Sequence, residues 1–187
     1  MAETTAKKGV SQTTVVTDKC RLSYVHVLEP QSIVEGGEKK FSVSVIIPKS
    51  NKKLVDKIEK AILAAKEMGK KNWNNIIPKV LKEPLRDGDL ERPEDPPYAN
   101  AYFVGATSKT RPNIVDLALN KITDATEIYS GMYGRVSMNF YPFNQAGNKG
   151  IACGLNNIQK VADGEPLGGR TRAEDDFNDG YEDPDDL

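Results

Sequence analysis

The sequence predicts a mainly β fold: a five-stranded barrel with one amphipathic helix inserted after its second strand and disordered N- and C-terminal tails. Three observations predict it. Apolar and polar residues alternate over 41–47 and again over 129–143, the period of half-buried strands. One stretch, 52–68, switches to helical spacing. Strands and helices do not otherwise alternate, which argues against a parallel sheet built from strand–helix–strand units.

The elements follow in order. Residues 14–28, TVVTDKCRLSYVHVL, are rich in β-branched residues and read as one long strand ending before Pro30. Gly36-Gly37 marks a turn. Phe41, Val43, Val45 and Ile47 then share one face of a second strand, which Pro48 ends. Ser50 or Asn51 can cap the helix that follows. Leu54, Ile58, Ala61, Ile62, Ala65 and Met68 form its apolar stripe, and Gly69 stops it. Residues 84–98 hold four prolines and mixed charge, which reads as a long loop. Residues 99–106 form a strand, and Ile114–Asp116 and Ile122 short extended pieces. The clearest strand is 129–143, with Val136, Met138 and Phe140 on one face and Arg135, Ser137, Asn139 and Tyr141 on the other. The last runs over 151–161, with Gly154 at a bulge or bend. An OB-fold fits this strand count, as do SH3-like barrels and small sandwiches.

The 187 residues give room for one domain with tails. The expected division is an arm at 1–13, a barrel domain at 14–164 and an acidic tail at 165–187. Net charge is −1, but it is unevenly placed. Eight of the 27 acids lie in 173–187: Glu174, Asp175, Asp176, Asp179, Glu182, Asp183, Asp185 and Asp186. That leaves 19 acids against 26 bases in residues 1–172, a net charge of +7. Such a tail has too little apolar surface to offset its ordering entropy. On a basic body it reads as an intramolecular competitor for the basic surface.

Several chemistries are absent. No apolar run approaches the ~20 residues of a membrane span, and no secretory leader is visible. The expectation is a cytoplasmic protein with no membrane partner. Cys20 and Cys153 form no CxxC motif, and His26 is the single histidine, so no metal site and no cofactor are expected. Both cysteines read as buried thiols. No Walker, HExxH or GxSxG motif occurs. Asp116, Asp124 and Glu127 could converge on a metal in a DNA-processing enzyme, but capping turns is the plainer role for such carboxylates.

The positive signal is a mixture of aromatic and basic residues in predicted strands, the combination that binds single-stranded nucleic acid: rings stack on bases and cations track phosphates. Phe103 and Phe140 fall on the apolar side and are assigned to the core. Tyr102, Arg135, Asn139 and Tyr141 fall on polar faces. With Lys109 and Arg111 they would line a cleft, and Lys149 would stand at a loop tip. Trp73, beside Lys70 and Lys71, either stacks on a base or pins the helix to the barrel.

ANAYFVGATSKTRPNIVD (99–116), IYSGMYGRVSMNFYPFN (128–144) and GNKGIACGLNNIQKVADGEPLGGR (147–170) resemble a family of phage-encoded single-stranded DNA-binding proteins. The resemblance spans roughly 14–170. It implies an OB-fold, sequence-independent binding of single-stranded DNA, and a role in phage DNA replication or recombination in the host cytoplasm. The acidic tail is similar in character to those of bacterial and phage single-stranded DNA-binding proteins; freed from the cleft by DNA, it would recruit replication or recombination proteins. Such tails commonly end in an aromatic residue. This chain ends Asp185-Asp186-Leu187 and embeds Phe177 and Tyr181 among the acids instead. An adaptor working through the tail alone, a metal-dependent nuclease and an RNA-binding variant stand as alternatives.

Overall fold

The structure, a computed structural model, describes residues 11–32, 34–167 and 177. The expected disorder of the tails falls on residues 1–10 and on the acidic segment, which apart from Phe177 lie outside the described residues. The predicted first strand is two strands, β1 (Thr14–Val16) and β2 (Cys20–Gln31). Thr17 makes the break: its amide and hydroxyl both bond the Val136 backbone at 3.0 Å, and it is fully buried. β3 (Lys40–Pro48) and the helix α1 (Lys52–Gly69) follow. β4 (Leu85–Asp87), the short helix α2 (Gly88–Glu91) and a 3₁₀ turn at Pro96–Tyr98 occupy the stretch that composition reads as loop. β5 (Ala101–Ser108), β6 (Asn113–Val115), β7 (Tyr133–Gln145) and β8 (Asn148–Ala162) complete the chain.

Five strands close a ring in the order β7–β2–β3–β5–β8, with β8 pairing back onto β7. All neighbours are antiparallel except β5 and β8, which meet in parallel at Thr107 and Gly154. This is OB-fold topology, with β2, β3, β5, β7 and β8 as its strands in chain order. The interior is filled as alternation requires: Leu22, Val27, Val43, Val45, Ile47, Val104, Ala106, Val136, Met138 and Phe140 are all at most 1% exposed.

α1 closes one side of the barrel against β7, β1 and β8. Asn51 caps it, accepting the Leu54 amide at 3.2 Å. Leu54, Ile58, Ala61, Ile62 and Ala65 are buried, but Met68 is 59% exposed, because the stripe has rotated past the core by the last turn. Trp73 is buried beneath that turn, 3% exposed. A methyl group on Gly69 would sit 2.7 Å from its ring, so only glycine admits the indole there. The ring therefore pins the helix end and has no face for a base, which removes it from the candidate DNA contacts. Cys20 and Cys153 are buried free thiols, and burial pushes the Cys20 thiol up to about 11.

Candidate nucleic-acid interface

The outer surface of the barrel is organised in rows that run across the strands. Side chains alternate in and out along each strand, so the outward residues of paired strands line up. The upper row holds Arg21, Ile46 and Phe103, paired in that order. It is covered by the β4–α2 excursion. Tyr98 is fully buried there, edge-on to Phe103 at 5.1 Å, and its hydroxyl bonds Ser44 at 2.9 Å. The excursion is anchored by Lys49, whose ammonium sits 2.8 Å from Asp87 and 2.8 Å from Asp89. Hydrogen bonds to those two carboxylates raise the Lys49 pKa, and Lys49 in turn holds both carboxyls below their ordinary range.

The lower row is open. It runs His26–Ser42–Thr107–Gly154–Asn139 through successive pairings of β2, β3, β5, β8 and β7. Gly105, beside it on β5, is exposed, and a methyl group built there would touch nothing within 4 Å. Small residues thus make a shallow belt about 19 Å across, four strand spacings of ~4.8 Å. An exposed tyrosine stands at each end, Tyr24 (46%) and Tyr141 (41%). Tyr141 lies against bare backbone: a methyl group on Gly154 would be 3.6 Å from its ring edge. Tyr24 projects from a β-bulge, since β2 places one extra residue between the Ser23–Ser44 and His26–Ser42 pairs. Its φ of +45° is costly for a tyrosine, and strain of that kind collects at functional sites.

Cations flank the belt. Lys40 lies one outward position beyond Ser42 on β3, and Lys109 follows the end of β5. Lys109 pairs with Glu38 at 3.2 Å, both side chains well exposed, a contact of little net strength. Arg111 bonds the Leu28 carbonyl. Beyond Tyr24 the belt opens into a cleft of about 650 Å³ lined by Arg21, Tyr24, His26, Asp95, Pro97 and Leu167. A second hollow, of about 490 Å³, shares His26 and reaches Arg111.

The chain leaves the barrel over this cleft. Arg21 donates to the Glu165 carbonyl at 2.7 Å, and the Leu167 amide donates to the Ser130 carbonyl at 2.9 Å. Gly131, with φ +111°, permits the contact, because a methyl group there would fall 2.1 Å from the Glu165 oxygen. Glu165, Pro166 and Leu167 thus lie at the Tyr24 end of the belt.

The sequence-derived candidates do not converge on one cleft. Tyr141, Asn139 and Lys109 lie on or beside the belt, although the Asn139 side-chain oxygen is taken by the Thr13 and Thr14 hydroxyls. Tyr102 shares the inward alternation of Val104 and Ala106, pairs with Ile47 and sits under Lys49 at 5.2 Å, five residues from Thr107. Phe103 is buried, as expected, in a second core cluster on the outer face beneath Tyr98. Arg135 is tied to the Thr17 carbonyl (3.0 Å) and Gln159 (3.1 Å), away from the belt. Lys149 is half-buried, its carbonyl bonded to the Lys82 amide at 3.0 Å. Tyr24, Arg21, His26, Lys40 and Arg92 are not among the contacts that the sequence predicts. The basis for finding them is the bulge and the strand register, neither of which is visible in alternation alone.

The three carboxylates of the nuclease alternative each have a structural task. Asp116 accepts the Ala118 and Asn120 amides at 2.9 Å, Asp124 caps a 3₁₀ turn through Thr126, and Glu127 binds Lys160 at 2.8 Å. Among the described residues no group of three potential ligands is placed to hold a metal ion. No described helix is long and apolar enough to cross a membrane.

A family model described as "Enterobacter phage Enc34, ssDNA-binding protein" matches residues 13–187. The chain belongs to this family of phage single-stranded DNA-binding proteins. Protein p50 of Acyrthosiphon pisum secondary endosymbiont phage 1 is 29% identical over 167 residues, 85% of this chain and 89% of that protein. The single-stranded DNA-binding protein from bacteriophage Enc34, solved in complex with ssDNA, superposes with a TM-score of 0.75 at 24% identity, covering 84% of this chain and 91% of that one. gp2.5, the single-stranded DNA-binding protein encoded by bacteriophage T7, superposes with a TM-score of 0.58 at 17% identity, covering 91% and 96%. At these identities the two superpositions establish the fold, and the family match establishes the membership.

Proposed function

We propose that this chain binds single-stranded DNA without reading its sequence, laying the strand across the belt from Tyr24 to Tyr141. The observation that supports this best is the row of small residues with an exposed tyrosine at each end. A flat floor admits any base, and tyrosine faces stack on every base. In this reading Arg21, Lys40, Lys109 and Arg111 follow the phosphates. The binding is non-catalytic and serves phage DNA replication or recombination in the host cytoplasm. The division into an N-terminal arm, a barrel domain at 14–164 and an acidic tail belongs to the same reading.

The acidic tail competes for this belt when DNA is absent and recruits replication or recombination proteins when released. Its root already lies on the cleft, held by Arg21 through Glu165. The test is a fluorescence anisotropy titration with single-stranded DNA, duplex DNA and RNA of equal length at two salt concentrations. It uses the full chain and a chain ending at Arg172. Preference for single-stranded DNA is expected, with affinity falling steeply with salt; four phosphate contacts would give a log–log slope of about −3. Truncation should tighten binding, most at low salt where screening is weakest. Equal affinity of the two chains at both salts would exclude tail competition. Absence of binding by either chain would exclude the belt.

A further inference from the structure

The excursion that covers the upper row carries Arg92, and its surroundings are unusual. Its guanidinium carbon lies 4.9 Å from the Tyr24 ring centre, 5.1 Å from that of Tyr98 and 5.3 Å from that of Phe103. Nη1 donates to the Tyr24 hydroxyl at 3.2 Å. Nε is buried with no hydrogen-bond partner. Among the described residues no carboxylate comes within ion-pair distance of it, whereas neighbouring Arg86 is held by Glu91 at 2.8 and 3.0 Å. A charged donor left without its own counter-ion is costly unless the position has a use.

We propose that Arg92 is a positioning residue for DNA: wedged among three rings, it fixes the plane of Tyr24 so that the solvent-facing side of that ring receives a base. This rests on the belt reading above and names how its Tyr24 end is organised. Tyr98 and Phe103 are packed against the barrel, so Arg92 transmits a rigid reference to a ring that otherwise hangs from one bulged residue. The planar guanidinium can stack on rings and still hydrogen-bond in its plane; an ammonium cannot. Cation–π contact with one face of Tyr24 leaves the other for a base.

The test is a double-mutant cycle read by oligothymidine affinity across a salt series, with full-length protein. Arg92→Met should weaken binding about five- to tenfold, the scale of a partly lost stack. Its salt slope should match that of the unmutated chain, because no phosphate contact is removed. In a Tyr24→Ala background the same substitution should have no further effect. Arg92→Lys should lose about as much as Arg92→Met, and it serves alone if the methionine variant does not fold. A slope reduced by about 0.7 would make Arg92 an ordinary phosphate contact and overturn the proposal. Full affinity in Arg92→Lys, or an undiminished Arg92→Met effect without Tyr24, would also overturn it. Tyr24→Ala weakening binding while Arg92→Met does not would remove Arg92 and leave the belt. Unchanged affinity in Tyr24→Ala itself would remove stacking at that end of the belt as well.

Discussion

Tyr24 and Tyr141 stand at opposite ends of one belt with nearly equal exposure, 46% and 41%. Tyr141 occupies a regular strand position, its ring against the bare backbone of Gly154. Tyr24 sits in a bulge with positive φ, beside an arginine, an inserted excursion and the root of the acidic tail. One end of the belt is a plain platform, and the other gathers the parts that can control access. Equal exposure therefore does not mean equal role: what surrounds a ring decides whether a site can be regulated as well as occupied.

The largest effect should come from blocking the ground between the two ends. Gly105→Glu places bulk and negative charge on an open floor where a side chain meets nothing within 4 Å. The fold should survive, with little change in thermal midpoint. Affinity for single-stranded DNA should fall by more than about 2 kcal/mol, the scale of a lost base stack plus a repelled phosphate. Undiminished affinity would place the strand elsewhere on the barrel. Next in size are the ends themselves. Tyr24→Ala should cost up to ~3 kcal/mol of binding and Tyr141→Ala ~1 kcal/mol. Equal losses, measured side by side, would erase the asymmetry between the ends.

The smallest effect concerns pH at the Tyr24 end. Lys49 holds Asp87 and Asp89 below the ordinary carboxylate range. Depressed carboxyls contribute stability that is present above their unfolded pKa of ~3.9 and lost as pH falls through their folded values. The anchor of the excursion should thus be constant from pH 7 to 5 and loosen only in stronger acid. The Asn100 amide, which donates to Asp89 at 2.9 Å, is the reporter. Its protection against exchange should fall below about pH 4, while amides at the Tyr141 end keep theirs.

The strands were legible where one face meets the core and the other meets water. Val136, Met138 and Phe140 alternate with polar residues and fix β7, and Phe41 to Ile47 do the same for β3. β5 misled because its first half, up to Val104, is covered on both faces while its second half is open outside. Val104 and Ala106 point into the barrel, while Phe103 is covered from outside by Tyr98. That cover comes from a proline-rich stretch that composition reads as loop, so Tyr102 reads as outward-facing, and Phe103, buried as expected, is buried against Tyr98 on the outer face. Trp73 was ambiguous because its surroundings depend on Gly69 and the helix turn above it. The belt had no local signal at all. Ser42, Gly105, Thr107 and Gly154 are unremarkable singly and form a floor only once the register is known. The aromatic and basic character of the site was readable, whereas its location follows from long-range pairing.

The most direct test of the belt is to follow backbone amide chemical shifts as a short oligothymidine is added to the full-length protein. The account predicts that the largest changes trace the row across the strands, through Tyr24, His26, Ser42, Gly105, Thr107, Gly154 and Tyr141. Changes gathered instead on the lysine-rich face of α1, or around Arg135 and Tyr102, would contradict it.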